Sequence, residues 1–206
     1  MTLKIYYAPF SRAIRVRWLA EELGLDYELE RIDFTHGNIG GDAYKALNPL
    51  QKVPTCEIDG EVVLESMAIC QLLAERHSPE GLAVPPGHTE YARYLEWIHY
   101  AEGSWSTPLN MAIGHFMILP ENKRDPRMQT WSMREMDKHL AHIAERGLSG
   151  GKDFVVADRL TVADLGVAYP LLLLKLMKQF DRVPEPVATY FDKIRQREAW
   201  KKATAD

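Results

Sequence analysis

The chain is poor in cysteine. It has two, Cys56 and Cys70, among 206 residues, and they form no Cys-x-x-Cys pair. That argues against a disulfide framework and against a thioredoxin-type redox centre. Two buried free thiols in a reducing compartment are the expected state. No His/Cys cluster has the spacing of a zinc site, and His139 and His142 are expected on a solvated helix face. A basic excess is also lacking. The 25 Lys and Arg stand against 29 Asp and Glu, for a net charge of −4, which speaks against a nucleic-acid binder. Long apolar runs are missing too. The most apolar stretch, Val167 to Leu174, contains Pro170, stops at Lys175 and is too short to span a bilayer. The N-terminal residues, Met1 to Tyr7, lack the apolar core of a signal peptide. A cytoplasmic protein without membrane contact is therefore expected.

What is present suffices for one large domain or two small ones. Hydrophobic residues make up 46% and charged residues 26%, ordinary values for a globular chain. Lys4 to Tyr7 reads as a strand. Ser11 to Leu23 has near-helical apolar spacing at Ile14, Val16, Trp18, Leu19 and Leu23, with Gly24 as a stop. Tyr27 to Ile32 alternates as a second strand, and so short a strand–helix–strand run implies a parallel pair. Gly37 to Gly41 reads as loop and Asp42 to Leu47 as a short helix. Thr55 to Ile58 and Glu61 to Leu64 are β-prone runs separated only by Asp59-Gly60. That pair tolerates φ > 0 at both positions of a type I′ turn, so a tight hairpin is expected. An amphipathic helix follows from Ser66 to His77.

Residues 79–88 hold Pro79, Pro85, Pro86, Gly81 and Gly87, a density of breakers that marks a linker. From residue 89 to 206 the pattern is helical throughout. One long helix is expected from Glu90 to about His115, others from Pro126 to Arg146, Thr161 to Lys178, Pro186 to Gln196 and Glu198 to Thr204. Thr161-Val162-Ala163-Asp164 fits a capping box that starts the most apolar helix. The expected plan is thus a βαβαββα domain over residues 1–78, a linker, and an all-helical bundle over residues 89–206.

Pro54 stands at the entrance of the hairpin and has no N–H to give a ladder. With a cis Val53-Pro54 bond, the backbone N–H and C=O of Val53 would turn outward, free to pair with an extended peptide. At the far end, Glu65-Ser66 opens a helix whose N-terminus attracts a carboxylate. Asn48-Pro49, Val53-Pro54, the Asp59-Gly60 hairpin, Glu65-Ser66, the proline-rich linker and the Thr161 box together resemble a cytosolic glutathione transferase, of bacterial type and of a Ser- or Tyr-type class. The resemblance covers nearly the whole chain. It implies a thioredoxin-like first domain, an all-helical second domain, glutathione as co-substrate, no metal, and a homodimer.

The resemblance also implies residue roles. Val53, before Pro54, would pair with the cysteinyl backbone of glutathione. Glu65 would meet its ammonium group and Ser66 its γ-glutamyl carboxylate, with Lys52 at the glycyl end and Gln51 a weaker candidate there. The reaction the resemblance implies is attack by the glutathione thiolate on a small hydrophobic electrophile. A thiol with a pKa of about 8.5 is mostly protonated at neutral pH, so the site must supply a donor. In the family that donor lies in the loop after the first strand, here Tyr6 to Arg12. No Cys occurs there. Ser11, where the helix begins, is the first choice as catalytic residue and Tyr6 the alternative. Phe10 and Trp105 are expected to line a second-substrate pocket. Two other readings fit the same scaffold: a binding module without turnover, and a glutathione-dependent isomerase, peroxidase or dehalogenase.

Overall fold

A computed structural model describes residues 1–34 and 38–205. Gly37, the first residue of the expected Gly37–Gly41 loop, lies outside the described residues. The chain divides into two compact units, one of Met1–Ala83 with the stretch from Arg197, the other Val84–Gln196.

The first unit is built on strands β1 (Leu3–Tyr7), β2 (Glu28–Arg31), β3 (Thr55–Ile58) and β4 (Glu61–Leu64), with helices α1 (Ala13–Leu23), α2 (Gly41–Leu47) and α3 (Ser66–His77) between and after them. This is the βαβαββα order read from the sequence. The sheet order is β2-β1-β3-β4, with β1 parallel to β2 and antiparallel to β3. The β3–β4 turn has φ of 52° at Asp59 and 86° at Gly60, the positive pair that a right-twisted two-residue hairpin requires. Helix α1 packs against β1, α3 and the last helix of the chain. That is why Ala13 to Ala20 are all buried, Arg15 and Arg17 included. Cys56 and Cys70 are fully buried free thiols. Burial pushes both thiols up, Cys70 to about 12, and such thiols are inert.

The last helix, α9 (Glu198–Ala203), differs from expectation. Read from sequence as part of the bundle over residues 89–206, it belongs instead to the first unit. The Trp200 ring meets Trp18 of α1 edge-on at 4.8 Å. Arg197 grips the Glu22 carboxylate with two bonds of 2.6 and 2.7 Å. An outward Trp on a helix needs a cover, and the chain's own end supplies it.

The second unit holds α4 (Tyr91–Gly103), α5 (Ser106–Ile113), α6 (Pro126–His142), α7 (Val162–Leu176) and α8 (Glu185–Gln196). The single helix expected from Glu90 to His115 is two, interrupted at Ser104-Trp105. Pro108 gives the reason. It has no N–H for the Ser104 carbonyl and its ring crowds that carbonyl, so it fits only in the first turn of a new helix. Asp125 caps α6, its Oδ1 accepting from the Arg127 N–H at 2.8 Å. The Thr161–Asp164 capping box is formed at the start of α7, and α7 runs through Pro170.

His139 and His142 are half-buried rather than solvated. They lie among the rings of Trp97, Tyr100 and Trp105, with His139 stacked on Trp105 at 5.9 Å and 28°. Their helix turns them toward the rings of Trp97, Tyr100 and Trp105. Among the described residues no group of His, Cys, Asp and Glu is placed to hold a metal ion. No helix there is long and apolar enough to cross a membrane.

Candidate functional site

The strand register brings three loops to one end of the sheet. Tyr6 pairs with Thr55, so the exit of β1 lies beside the entry of β3. Thr55 pairs with Leu64, so the exit of β4 lies there too. The segments Ala8–Arg12, Gln51–Pro54 and Glu65–Ser66 therefore share one rim. Each carries a non-glycine residue with positive φ: Phe10 at 56°, Gln51 at 49° and Glu65 at 69°. Such backbone is costly, about 1–3 kcal/mol a residue, and concentrates at sites of function.

The Val53-Pro54 bond is cis. Within the described residues nothing hydrogen-bonds the N–H or C=O of Val53. A main-chain donor and acceptor left without internal partners are suited to an extended peptide. Lys52 and Glu65 are exposed, with no ion pair to either among the described residues. Ser66 is 3% exposed and stands at the first turn of α3. Its N–H and those after it have no helical partner, so the turn carries partial positive charge.

Behind Ser66 lies a residue that the sequence reading missed. Arg15 is fully buried, and its Nη1 donates to the Ser66 hydroxyl at 3.1 Å. The bond leaves the Ser66 O–H free to donate, and a guanidinium adds a full positive charge behind the helix end. The signal was an arginine among the apolar residues from Ala13 to Leu19, to which the sequence reading gave no role. The Asn48-Pro49 turn proved richer than read, since the Asn48 side chain is buried and bonded to both Lys52 and Thr55.

Ser11 and Tyr6 part company. The Ser11 hydroxyl is half-buried at the start of α1. It donates to the Ala8 carbonyl at 2.7 Å and accepts from the Ala13 N–H at 3.3 Å. These bonds are local to the turn that leads into α1. Tyr6 is 8% exposed and packs on Tyr44. Its hydroxyl donates to Glu57 at 2.5 Å. Burial, then that carboxylate, push the phenol up to about 12. Its proton is held on the sheet face it shares with Lys4 and Glu57, away from the rim.

Phe10 is 44% exposed on the rim. Trp105 is not a pocket wall. It is fully buried in the second unit, its indole N–H donating to the Met136 sulfur at 2.9 Å. An aromatic at helical spacing went to the core, where its area counts most. Two surface depressions lie elsewhere. One, of about 380 Å³, adjoins Glu30 to Asp33 and Gly40-Gly41, and the other, of about 420 Å³, lies between Leu148 and Lys193. Neither includes Val53 or Ser66.

Comparison with known proteins agrees with this geometry. Residues 1–75 match the family model described as glutathione S-transferase, N-terminal domain. Glutathione S-transferase 3 of Schizosaccharomyces pombe is 32% identical over 81% of this chain and 72% of its own length. A glutathione transferase from Methylococcus capsulatus superposes with a TM-score of 0.78 at 25% identity, over 99% of this chain and 98% of that one. A glutathione transferase homologue from Lodderomyces elongisporus, crystallised with two glutathione molecules per subunit, has a TM-score of 0.82 over 100% of this chain and 98% of that one. At 22% identity its likeness is one of fold. With 32% identity to a named transferase over most of both chains, and the rim built on the matched segment, this chain belongs to the glutathione transferase family.

Proposed function

We propose that the protein is a cytoplasmic glutathione transferase that activates the glutathione thiolate for attack on small hydrophobic electrophiles, a detoxifying reaction. One observation carries the reading: the Val53 main chain, without a partner among the described residues, shares a rim with the Ser66 helix end and with the Ser11 hydroxyl. The cysteinyl backbone pairs with Val53. The γ-glutamyl carboxylate sits at Ser66 with Arg15 behind it, its ammonium at Glu65, and the glycyl carboxylate at Lys52. That pose sets the thiol near Ser11, which rotates from the Ala8 carbonyl to donate to the thiolate. Lowering the thiol pKa by about two units requires roughly 2.7 kcal/mol of preferential stabilisation. A hydroxyl donor and the first turn of α1 together are of that order. Phe10, exposed on the rim, offers the electrophile an apolar surface. Ser11 in this role makes the enzyme Ser-type.

The test is calorimetric titration with glutathione, followed by thiol loss in the presence of a model aryl halide. Micromolar to millimolar binding together with turnover is expected. A folded chain that does not bind glutathione overturns the reading, and binding without turnover reduces it to a binding module. A homodimer belongs to the proposal. Leu50 at 64% and Val62 at 40% exposure are apolar surfaces of the first unit for a second copy to cover. Sedimentation equilibrium distinguishes dimer from monomer.

A further inference from the structure

We infer that Tyr44, Asn48 and Thr55 are positioning residues for glutathione, acting through the Lys52 carbonyl to aim the Val53 N–H. The inference rests on Val53 being the peptide grip. All three side chains are buried, Tyr44 4%, Asn48 2% and Thr55 0% exposed. They meet on one acceptor. The Tyr44 hydroxyl donates to the Lys52 carbonyl at 2.6 Å and the Asn48 Nδ2 donates to it at 2.9 Å. A carbonyl has two lone pairs, and both are now used.

The remaining bonds close the set. The second proton of Asn48 Nδ2 goes to Thr55 Oγ1 at 3.0 Å. Thr55 Oγ1 lies 2.8 Å from the Tyr44 oxygen and 3.4 Å from the Lys52 carbonyl oxygen, so its proton serves one or the other. Asn48 Oδ1 accepts from the Leu50 N–H at 3.0 Å. The three side chains and the Lys52 carbonyl thus form one closed hydrogen-bonded set. Thr55 is itself fixed in β3 between Tyr6 and Leu64.

The consequence for Val53 follows from peptide geometry. The Lys52–Val53 bond is trans, since among the described residues the cis bond is Val53-Pro54. In a trans peptide the C=O and the next N–H point in opposite directions. Drawing the Lys52 carbonyl inward onto Tyr44 and Asn48 therefore turns the Val53 N–H outward. Meanwhile the Val53 side chain packs on the cluster of Tyr6, Ile32 and Tyr44. The neighbouring turn is pinned as well, because the Gln51 amide donates to Asn38 Oδ1 at 2.8 Å and to the Ile39 carbonyl at 2.7 Å. The edge is aimed before any ligand arrives, which removes an ordering cost from binding.

The experiment measures glutathione affinity by calorimetry, and steady-state kinetics with an aryl halide, for wild type, Tyr44→Phe, Thr55→Val and Thr55→Ser. Tyr44→Phe and Thr55→Val should each weaken glutathione about tenfold, the factor that one lost buried hydrogen bond converts to. Turnover at saturating glutathione and the KM for the halide should stay within about twofold, and Thr55→Ser should recover the affinity. The double variant Tyr44→Phe/Thr55→Val should lose less than the product of the singles, because both act on one carbonyl. Unchanged affinity in folded variants overturns the inference while leaving the glutathione reading intact. So does an equal fall in turnover, or failure of both single variants to fold, since the three residues then hold the domain rather than the grip. If wild type itself binds no glutathione, the functional reading falls first.

Discussion

The Tyr100 hydroxyl stands 2.5 Å from Nδ1 of His139, joining α4 to α6 inside the helical unit. Burial first, and His142 next, lower the His139 pKa below its ordinary value. The unfolded chain therefore takes up a proton more readily than the folded one. Stability should fall as pH drops below about 6.5, the ordinary histidine value. The loss should be complete once pH passes below the lowered folded value. Urea denaturation across that window should show this slope in wild type and a flatter one in His139→Gln. An identical slope in both assigns it to other groups.

Asp164 works in the opposite sense. Burial pushes it up to about 6, against four donors that pull it down. These are the Val155 N–H and Tyr190 hydroxyl at Oδ1, and the Thr161 N–H and hydroxyl at Oδ2. A folded pKa above the unfolded one gives stability that is present at low pH and lost as pH rises from about 4 to about 6. Asp164→Asn should flatten that segment. It should also cost about 2–3 kcal/mol at neutral pH, because an amide cannot accept from both sets of donors. Thr161→Ala should cost about 1–2 kcal/mol. A neutral effect of both in thermal melts would mean that the cap does not hold α7.

Trp200→Ala should remove about 3–5 kcal/mol from the first unit, the usual cost of truncating a buried Trp. Arg197→Met should cost no more than about 1 kcal/mol, since its pair with Glu22 is partly solvated. Equal small effects on denaturant midpoints would show that α9 adds little to α1.

Ser11→Ala should lower turnover by about 10²–10³, the usual range for removing a donor to a developing anion. Glutathione affinity should change far less. Tyr6→Phe should leave turnover within a few-fold and instead destabilise the sheet, because its proton serves Glu57. The reverse pattern in single-turnover kinetics would move the donor role to Tyr6.

Much of the fold was legible because it is local. Asp59-Gly60 admits few backbones other than a tight turn, and the hairpin ends fall at the residues read from sequence. The Thr161 box likewise depends on groups three residues apart. The break at Ser104-Trp105 was missed, although its cause, Pro108, is just as local. The candidate site was legible in part. Val53, Glu65 and Ser66 were named from residue order, whereas Arg15 gained a role only where α1 packs against α3 and its guanidinium meets Ser66.

The sequence by itself determined the succession of elements, the turn residues and the caps, because each is set by neighbours within a few positions. Tertiary structure alone decided that Trp105, His139 and His142 face α4 or α6 rings, that Trp200 covers Trp18, that Tyr6 gives its proton to Glu57, and that Tyr44 and Asn48 converge on Lys52. Those outcomes depend on which distant surfaces meet. A side chain's partner is chosen by burial and by the need to satisfy every buried polar group, and neither is written in local spacing.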